Sequence, residues 1–188
     1  MMREEKVDAL TFVTSNPGKA KQLSQYLDFP VVQKAIDLIE IQSLDGAEII
    51  EHKAREAYRQ LHSPVLVEDA SLQFLALGKL PGPLIKWFLA ELGTDGLCKL
   101  LNGYEDRSAL ASVQFGLYDG QAFHIFSGER AGSIAPTPRG SNGFGWDSIF
   151  IPAGHDKTWA EMSDTEIRKT AMRTIALTKL DDYLKTRS

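Results

Sequence analysis

Four short stretches of the chain carry residue types whose chemistry is specific enough to question. Thr14-Ser15-Asn16-Pro17-Gly18-Lys19 leaves a β-rich run and enters a helical one. Such a turn aims backbone N–H groups and the positive end of a helix dipole at an anion, and Lys19 adds a formal charge. It is not a Walker A loop, because G-x-x-x-x-G-K-[ST] is absent. A plain βα turn with a surface lysine accounts for the same residues. Glu68-Asp69 closes VLVED, and the carboxyl ends of strands line the ligand crevice in open α/β sheets. Adjacent strand residues point to opposite sides, so one acid can face a site while the other caps the next turn. Asp69 as a simple helix N-cap is an equal alternative. Glu40 sits between Ile39 and Ile41. It is either a carboxylate turned toward a pocket or metal, or a solvent-facing residue on an edge strand. Gly140 to Asp147, GSNGFGWD, is the fourth stretch. Its glycines let backbone approach a ligand, Phe144 and Trp146 offer flat faces to a nucleobase, and Asp147 can accept from ring N–H groups. The alternative for the two aromatics is a role as core plugs.

Singly these stretches decide nothing. Together they make a phosphate turn, two or three carboxylates suited to Mg²⁺, and an aromatic slot with a polar edge. Mg²⁺ takes oxygen ligands, commonly one or two carboxylates plus substrate phosphates. The combination describes a nucleoside triphosphate hydrolase.

The elements that must position these residues follow from the pattern. Ala9–Ser15 and Pro30–Ala35 read as strands, with a helix over Lys19–Leu27 between them. Asp37–Asp45 reads as a loop or irregular strand. Gly46–His62 is an amphipathic helix whose Ala47, Ile50, Ala54, Ala57 and Leu61 recur at helical spacing. Val65–Asp69 is a buried strand. Pro81-Gly82-Pro83 opens a helix, and a short one follows near Asp95–Leu101. Ser108–Tyr118 and Ala122–Phe126 flank Asp119-Gly120, a hairpin signal, with Ser127–Ala135 as a third antiparallel strand. Ser148–Ile151 is a short strand. Ser163–Lys185 reads as one C-terminal helix burying Ile167, Ala171, Ile175, Leu180 and Leu184. The expected fold is α/β, a mixed β-sheet with flanking helices, in a single domain over 1–188 with two lobes around a central cleft.

Composition bounds the partners. With 21 Lys+Arg against 25 Asp+Glu the net charge is -4, which excludes a chain that coats nucleic acid through a basic face. One cysteine, Cys98, excludes an intrachain disulfide framework and a multi-cysteine zinc site, and the four histidines are scattered. MMREEKVDAL has no apolar h-region, so no signal peptide is expected. No run approaches the roughly 18 apolar residues of a membrane span. The expectation is a cytoplasmic protein that contacts neither nucleic acid nor membrane.

VTSNPGK, VLVEDASL, LPGPLIKWF and GFGWDSIFIP, in that order and spacing, resemble the inosine triphosphate pyrophosphatase (HAM1-like) family over roughly Leu10–Leu184. The segment from Pro64 to Leu92 is similar to its eukaryotic-type members. The resemblance implies an elongated two-lobed α/β fold, a homodimer, and Mg²⁺-dependent hydrolysis of ITP, dITP and XTP to monophosphate and pyrophosphate, with Mn²⁺ as a substitute. It implies that Thr14, Ser15, Asn16 and Lys19 hold the triphosphate, with Lys19 also catalytic. Lys53, Ala70 and Lys86 become further substrate contacts. Glu40 and Asp69 become metal ligands, with Asp69 the general base. Phe144, Trp146, Asp147 and Arg173 become the base-binding set.

The resemblance fails at one place. The family carries a lysine-asparagine pair followed by Ser-His-Arg at the start of the last helix. This chain has Ile167 for the lysine, Ala171 for the serine and Met172 for the histidine, and keeps Arg173. Those family residues help recognise the purine 6-keto group, so relaxed or altered base selectivity is expected. A site built on polar donors rejects an analogue lacking the acceptor by about 10⁴–10⁵. Lys169 and Arg173, four apart on one helical face, are either substitute cations or solvated charges. Two alternatives stand beside the leading reading: a pyrophosphatase for another modified nucleotide, and a nucleotide-binding sensor or scaffold without turnover.

Overall fold

The computed structural model describes residues 9–27 and 29–186. The segment 1–8, which holds most of the stretch lacking a signal-peptide core, lies outside the described residues. In chain order the elements are β1 (Leu10–Val13), α1 (Pro17–Tyr26), β2 (Val31–Lys34), α2 (Gly46–Leu61), β3 (Val65–Phe74) and β4 (Pro81–Gly82). Then come α3 (Ile85–Lys99), β5 (Ser108–Tyr118), β6 (Phe123–Ile134), β7 (Phe150–Pro152), α4 (Asp164–Thr170) and α5 (Met172–Lys185). The strands form a seven-stranded mixed sheet in the order β2-β1-β3-β5-β6-β7, with β4 beside β3. The expected α/β class is the observed one. No helix among the described residues is long and apolar enough to cross a membrane.

The chain divides into two compact units. One holds the residues through Asp69, 114–127 and those from Ala176 on; the other holds 70–113 and 128–175.

In the first unit β1 lies parallel to both β2 and β3, pairing Leu10 with Val31 and Val13 with Val67. Two successive helical crossovers that leave β1 in one direction and return past it, each right-handed, put α1 and α2 on opposite faces of the sheet. Strand alternation agrees. Val13, Val65 and Val67 pack in one core cluster with Ile50, Ala54 and Ala57 of α2. Leu10, Phe12 and Leu66, on the alternate positions, are buried on the other face. Asp45 caps α2 by accepting from the Ala47 N–H at 2.9 Å, and His62 ends it in the left-handed region at φ 51°.

In the second unit Leu72 and Gln73 of β3 pair antiparallel with Gly82 and Pro81. The Arg107 guanidinium ties α3 to the end of β6, donating to the carbonyls of Ile134 (2.8 Å), Ala135 (2.9 Å) and Cys98 (3.1 Å). Trp146, Phe150 and Trp159 form an aromatic core with ring centroids 4.4 to 5.8 Å apart.

Several sequence expectations need correction. The strand read as ending at Asp69 runs on to Phe74, so the acid pair is mid-strand. What ends there is the parallel pairing with β1, whose last partner is Val67. Pro81-Gly82 belongs to β4, and the helix begins only at Ile85, leaving Pro83 in the preceding turn. Gly93, at φ 63° and ψ 179°, breaks α3, which separates the two helices expected there. The two strands read over Ala122–Ala135 are the single β6. The last helix is two helices, parted at Ala171, whose backbone is extended (φ -71°, ψ 135°). The Thr170 carbonyl is taken by the Arg130 Nε at 2.6 Å, and the Thr170 hydroxyl accepts from the Trp159 Nε1 at 2.9 Å. These tertiary bonds hold Thr170 at a helix end. The break removes the single helical face supposed for Lys169 and Arg173, and the buried positions are Met172, Ala176, Leu177, Leu180 and Leu184.

Ile50 is fully buried at the centre of the cluster that seats α2. Ile50→Ala should lower unfolding free energy by about 2–5 kcal/mol in urea titrations; a loss below about 1 kcal/mol would contradict this packing.

Candidate active site

The first unit gathers four ionisable side chains where the β1–β3 pairing ends. Asp69 follows Val65 and Val67 on the face covered by α2, and there it meets Lys53, which projects from that helix. The Lys53 Nζ donates to Asp69 Oδ1 at 3.3 Å and to Glu40 Oε1 at 2.9 Å. Glu68 points to the opposite face with Leu66, and there it meets Lys19 from α1, Nζ to Oε1 3.0 Å. Glu68 is almost entirely removed from solvent, its side chain 2% exposed.

Burial dominates the Asp69 titration and pushes its carboxyl above the ordinary aspartate range, against the pull of the Lys53 and Lys19 charges. Burial also acts most strongly on Lys53, lowering its ammonium pKa. The combined attraction of Asp69 and Glu40 wins, and the pKa is raised. A carboxylate with raised proton affinity beside a firmly protonated lysine is the pairing a general base and an anion-holding cation require.

The turn after β1 is more self-contained than its sequence suggests. The Asn16 side-chain oxygen accepts from the Gly18 N–H (2.9 Å) and the Lys19 N–H (3.3 Å), and Thr14 Oγ1 accepts from the Asn16 N–H (3.1 Å). The amides of Gly18 and Lys19 are therefore capped by Asn16, which corrects the expectation of open N–H groups there. Ser15 is exposed beside them. The site cation at this turn is the Lys19 ammonium.

The second unit holds the remaining expected residues. In the glycine-rich loop the two aromatics part company. Trp146 is 8% exposed and packs in the aromatic core, whereas Phe144 is 38% exposed. Trp146 is thus the core plug, and Phe144 offers its face. The Arg173 guanidinium lies 5.7 Å from the Phe144 ring centroid. Asp147 folds back under the loop, its Oδ2 accepting from the Phe144 N–H at 2.9 Å. Gly143, at φ 76°, leaves the space that carboxylate fills, since a Cβ there would collide with it. Burial raises the Asp147 pKa to about 6, opposed by the Phe144 amide and by Arg173. Ala70 continues β3 past Asp69. Lys86 stands in the first turn of α3, its Nζ 5.5 Å from the neighbouring Trp87 ring. Of the positions that depart from the family pattern, Ile167 is in α4, Ala171 is the break, and Met172 is buried.

Thr14, Asn16, Lys19, Glu40, Lys53 and Asp69 therefore belong to the first unit, where Lys53 joins Glu40 to Asp69. Glu40 is not on an edge strand, since 35–44 forms no strand; it stays exposed to solvent, and its Oε1 accepts from the Lys53 Nζ. Sequence reasoning missed the Lys19–Glu68 pair. The signal was available in the alternation of Glu68 and Asp69 combined with helices on both faces.

Residues 10–183 match the family model described as Ham1p_like, the Ham1 family. The inosine triphosphate pyrophosphatase of Schizosaccharomyces pombe is 39% identical over 183 residues, covering 95% of this chain and 96% of that protein. The Scheffersomyces stipitis inosine triphosphate pyrophosphatase is 42% identical over 194 residues, covering 95% and 98%. The solved HAM1 protein of Coxiella burnetii superposes with a TM-score of 0.84 at 28% identity, covering 95% of this chain and 98% of that one. The chain belongs to the Ham1 family.

The raised Asp147 pKa has a definite sign. Between the ordinary aspartate range near 4 and about 6 the folded protein binds more protons than the unfolded one, so stability falls as pH rises through that window. Carboxyl NMR should find the Asp147 midpoint near 6, and Asp147→Asn should remove this component of the decline. A midpoint at or below 4 would contradict the burial.

Proposed function

We propose that this chain hydrolyses the non-canonical purine nucleoside triphosphates ITP, dITP and XTP to the monophosphate and pyrophosphate. The reading rests on the joined Glu40–Lys53–Asp69 cluster, together with membership of a family whose relatives are named inosine triphosphate pyrophosphatases. Asp69 orients a water and takes its proton as the water oxygen bonds to the α-phosphorus. The bond from that phosphorus to the bridging oxygen breaks, and pyrophosphate leaves with that oxygen. Lys19, Lys53 and Lys86 hold the triphosphate, with Thr14, Ser15, Asn16 and Ala70 shaping the approach. Catalysis of this kind is largely positioning and electrostatics.

The residues fit a divalent cation. Glu40 Oε1 and Asp69 Oδ1 both reach one Nζ, so two carboxylates already converge on a small cation. Among the described residues no group of three or more His, Cys, Asp or Glu is placed to cage a metal. Two carboxylates completed by substrate phosphates is the donor set Mg²⁺ accepts, and Mn²⁺ takes similar ligands. When bound, Mg²⁺ supplies neutralisation of charge on the phosphate oxygens. Glu40 and Asp69 are the residues that would hold it. A homodimer, implied by the resemblance, and a cytoplasmic location, expected from the composition, belong to the same proposal.

The base is read by the loop of the second unit. Phe144 stacks, Arg173 and Asp147 supply polarity, and Trp146 supports the loop from the core. With Ile167, Ala171 and Met172 at the departing positions, the polar reading of the purine 6-position is weakened.

Pyrophosphate release with Mg²⁺ tests both parts. Asp69→Asn should lower kcat on ITP by about 10²–10⁴, and an unchanged rate would remove Asp69 as the base. The ratio of kcat/KM for ITP over ATP, which differ at the purine 6-position, should fall below about 200, the range left when apolar contacts discriminate. A ratio above about 10⁴ would refute relaxed selectivity.

A further inference from the structure

We propose that Glu68 is a positioning residue that acts through Lys19, fixing the ammonium at the end of β1 for contact with substrate phosphate. The proposal rests on the phosphate role given to Lys19 above and extends it to a residue with no such role so far.

The first observation is asymmetry of burial. The Glu68 side chain is 2% exposed and that of Lys19 is 21% exposed, with Nζ and Oε1 3.0 Å apart. The carboxylate is sunk in the sheet, while the cation keeps a side toward solvent. Burying a carboxylate is costly, and replacing a buried ion pair with apolar residues is often neutral or stabilising. Stability alone is thus a weak reason for Glu68 to be an acid. The second observation is direction. Adjacent residues on β3 face opposite ways, so Glu68 cannot share the Asp69–Glu40 cluster on the α2 side. It faces α1, and the group it meets there is the single lysine in the first turn of that helix. The third is the nature of the donor. A lysine side chain has four flexible carbons, and an ammonium has three N–H donors. Anchoring one donor on a rigid buried carboxylate restricts the stem and leaves the geometry of the remaining donors defined.

A double-mutant cycle tests this. Pyrophosphate release from ITP and calorimetric binding of inorganic tripolyphosphate are measured for the parent protein, Glu68→Gln, Lys19→Met and the double variant. Glu68→Gln should weaken tripolyphosphate binding by about tenfold or more and lower kcat/KM similarly, mainly through KM. In the Lys19→Met background the same change should cost less than about twofold, because its effect runs through the missing ammonium. Parent-like binding in Glu68→Gln, or losses that multiply in the double variant, would overturn the proposal. Where Glu68→Gln does not fold by circular dichroism, Glu68→Asp serves: it keeps the charge, shortens the reach, and should show a partial loss that parent-like binding would refute. Tripolyphosphate binding separates this proposal from the catalytic reading. A parent that releases no pyrophosphate but shows the coupling fails as an enzyme while Glu68 keeps its role.

Discussion

Two adjacent carboxylates on a buried strand leave opposite faces of the sheet and pair with different lysines, and the first unit is organised around that constraint. Successive side chains of β3 leave opposite faces of the sheet. Each then requires its own positive partner, because a carboxylate removed from water without one is expensive. The β1-α1-β2 and β2-α2-β3 crossovers supply those partners, one helix per face. Lys53 of α2 meets Asp69, and Lys19 of α1 meets Glu68. The strand order reverses at β1, and ligands of open α/β sheets bind at such switch points. Fold and charge placement therefore have one origin. The helices that bury Val13, Val65 and Val67 on one side and Leu10, Phe12 and Leu66 on the other also deliver the two ammonium groups.

Glu40 completes the arrangement from outside the regular structure. Its loop is irregular and Ile39 beside it is 67% exposed, yet the carboxylate reaches Lys53 at 2.9 Å. Lys53 thus holds two acids within reach of one small positive group before any ligand arrives. In the second unit the constraint is steric instead. Gly143 makes room for the Asp147 carboxylate, that carboxylate pins the Phe144 amide, and Phe144 is left exposed near Arg173. A net charge of -4 is compatible with an anionic substrate, because the cations needed are few and placed.

The sequence made the layered α/β plan legible wherever local periodicity and burial point the same way. The opening strand–turn–helix is one case. The α2 stripe around Ile50, Ala54 and Ala57 is another. Glu68-Asp69, Glu40 and the GFGWD loop stand out from residue type and spacing. Three features do not, each for a tertiary reason. The sequence reads as a strand ending at the acids, whereas β3 runs on and their charge is compensated by side chains from two different helices. The break at Ala171 depends on Arg130, forty residues earlier, occupying the Thr170 carbonyl. The separate fates of Phe144 and Trp146 depend on Phe150 and Trp159 forming the wall that Trp146 joins. No local pattern distinguishes those two rings.

The central claim is that the two faces of β3 together set the cations that receive a triphosphate. The most direct measurement is a crystal structure with Mg²⁺ and a non-hydrolysable inosine triphosphate analogue. The account predicts the Lys19 Nζ within hydrogen-bond distance of both Glu68 and a phosphate oxygen, with Glu40 and Asp69 at the metal. Phosphates bound away from the end of β1, or Lys19 swung off Glu68 to reach them, would contradict it.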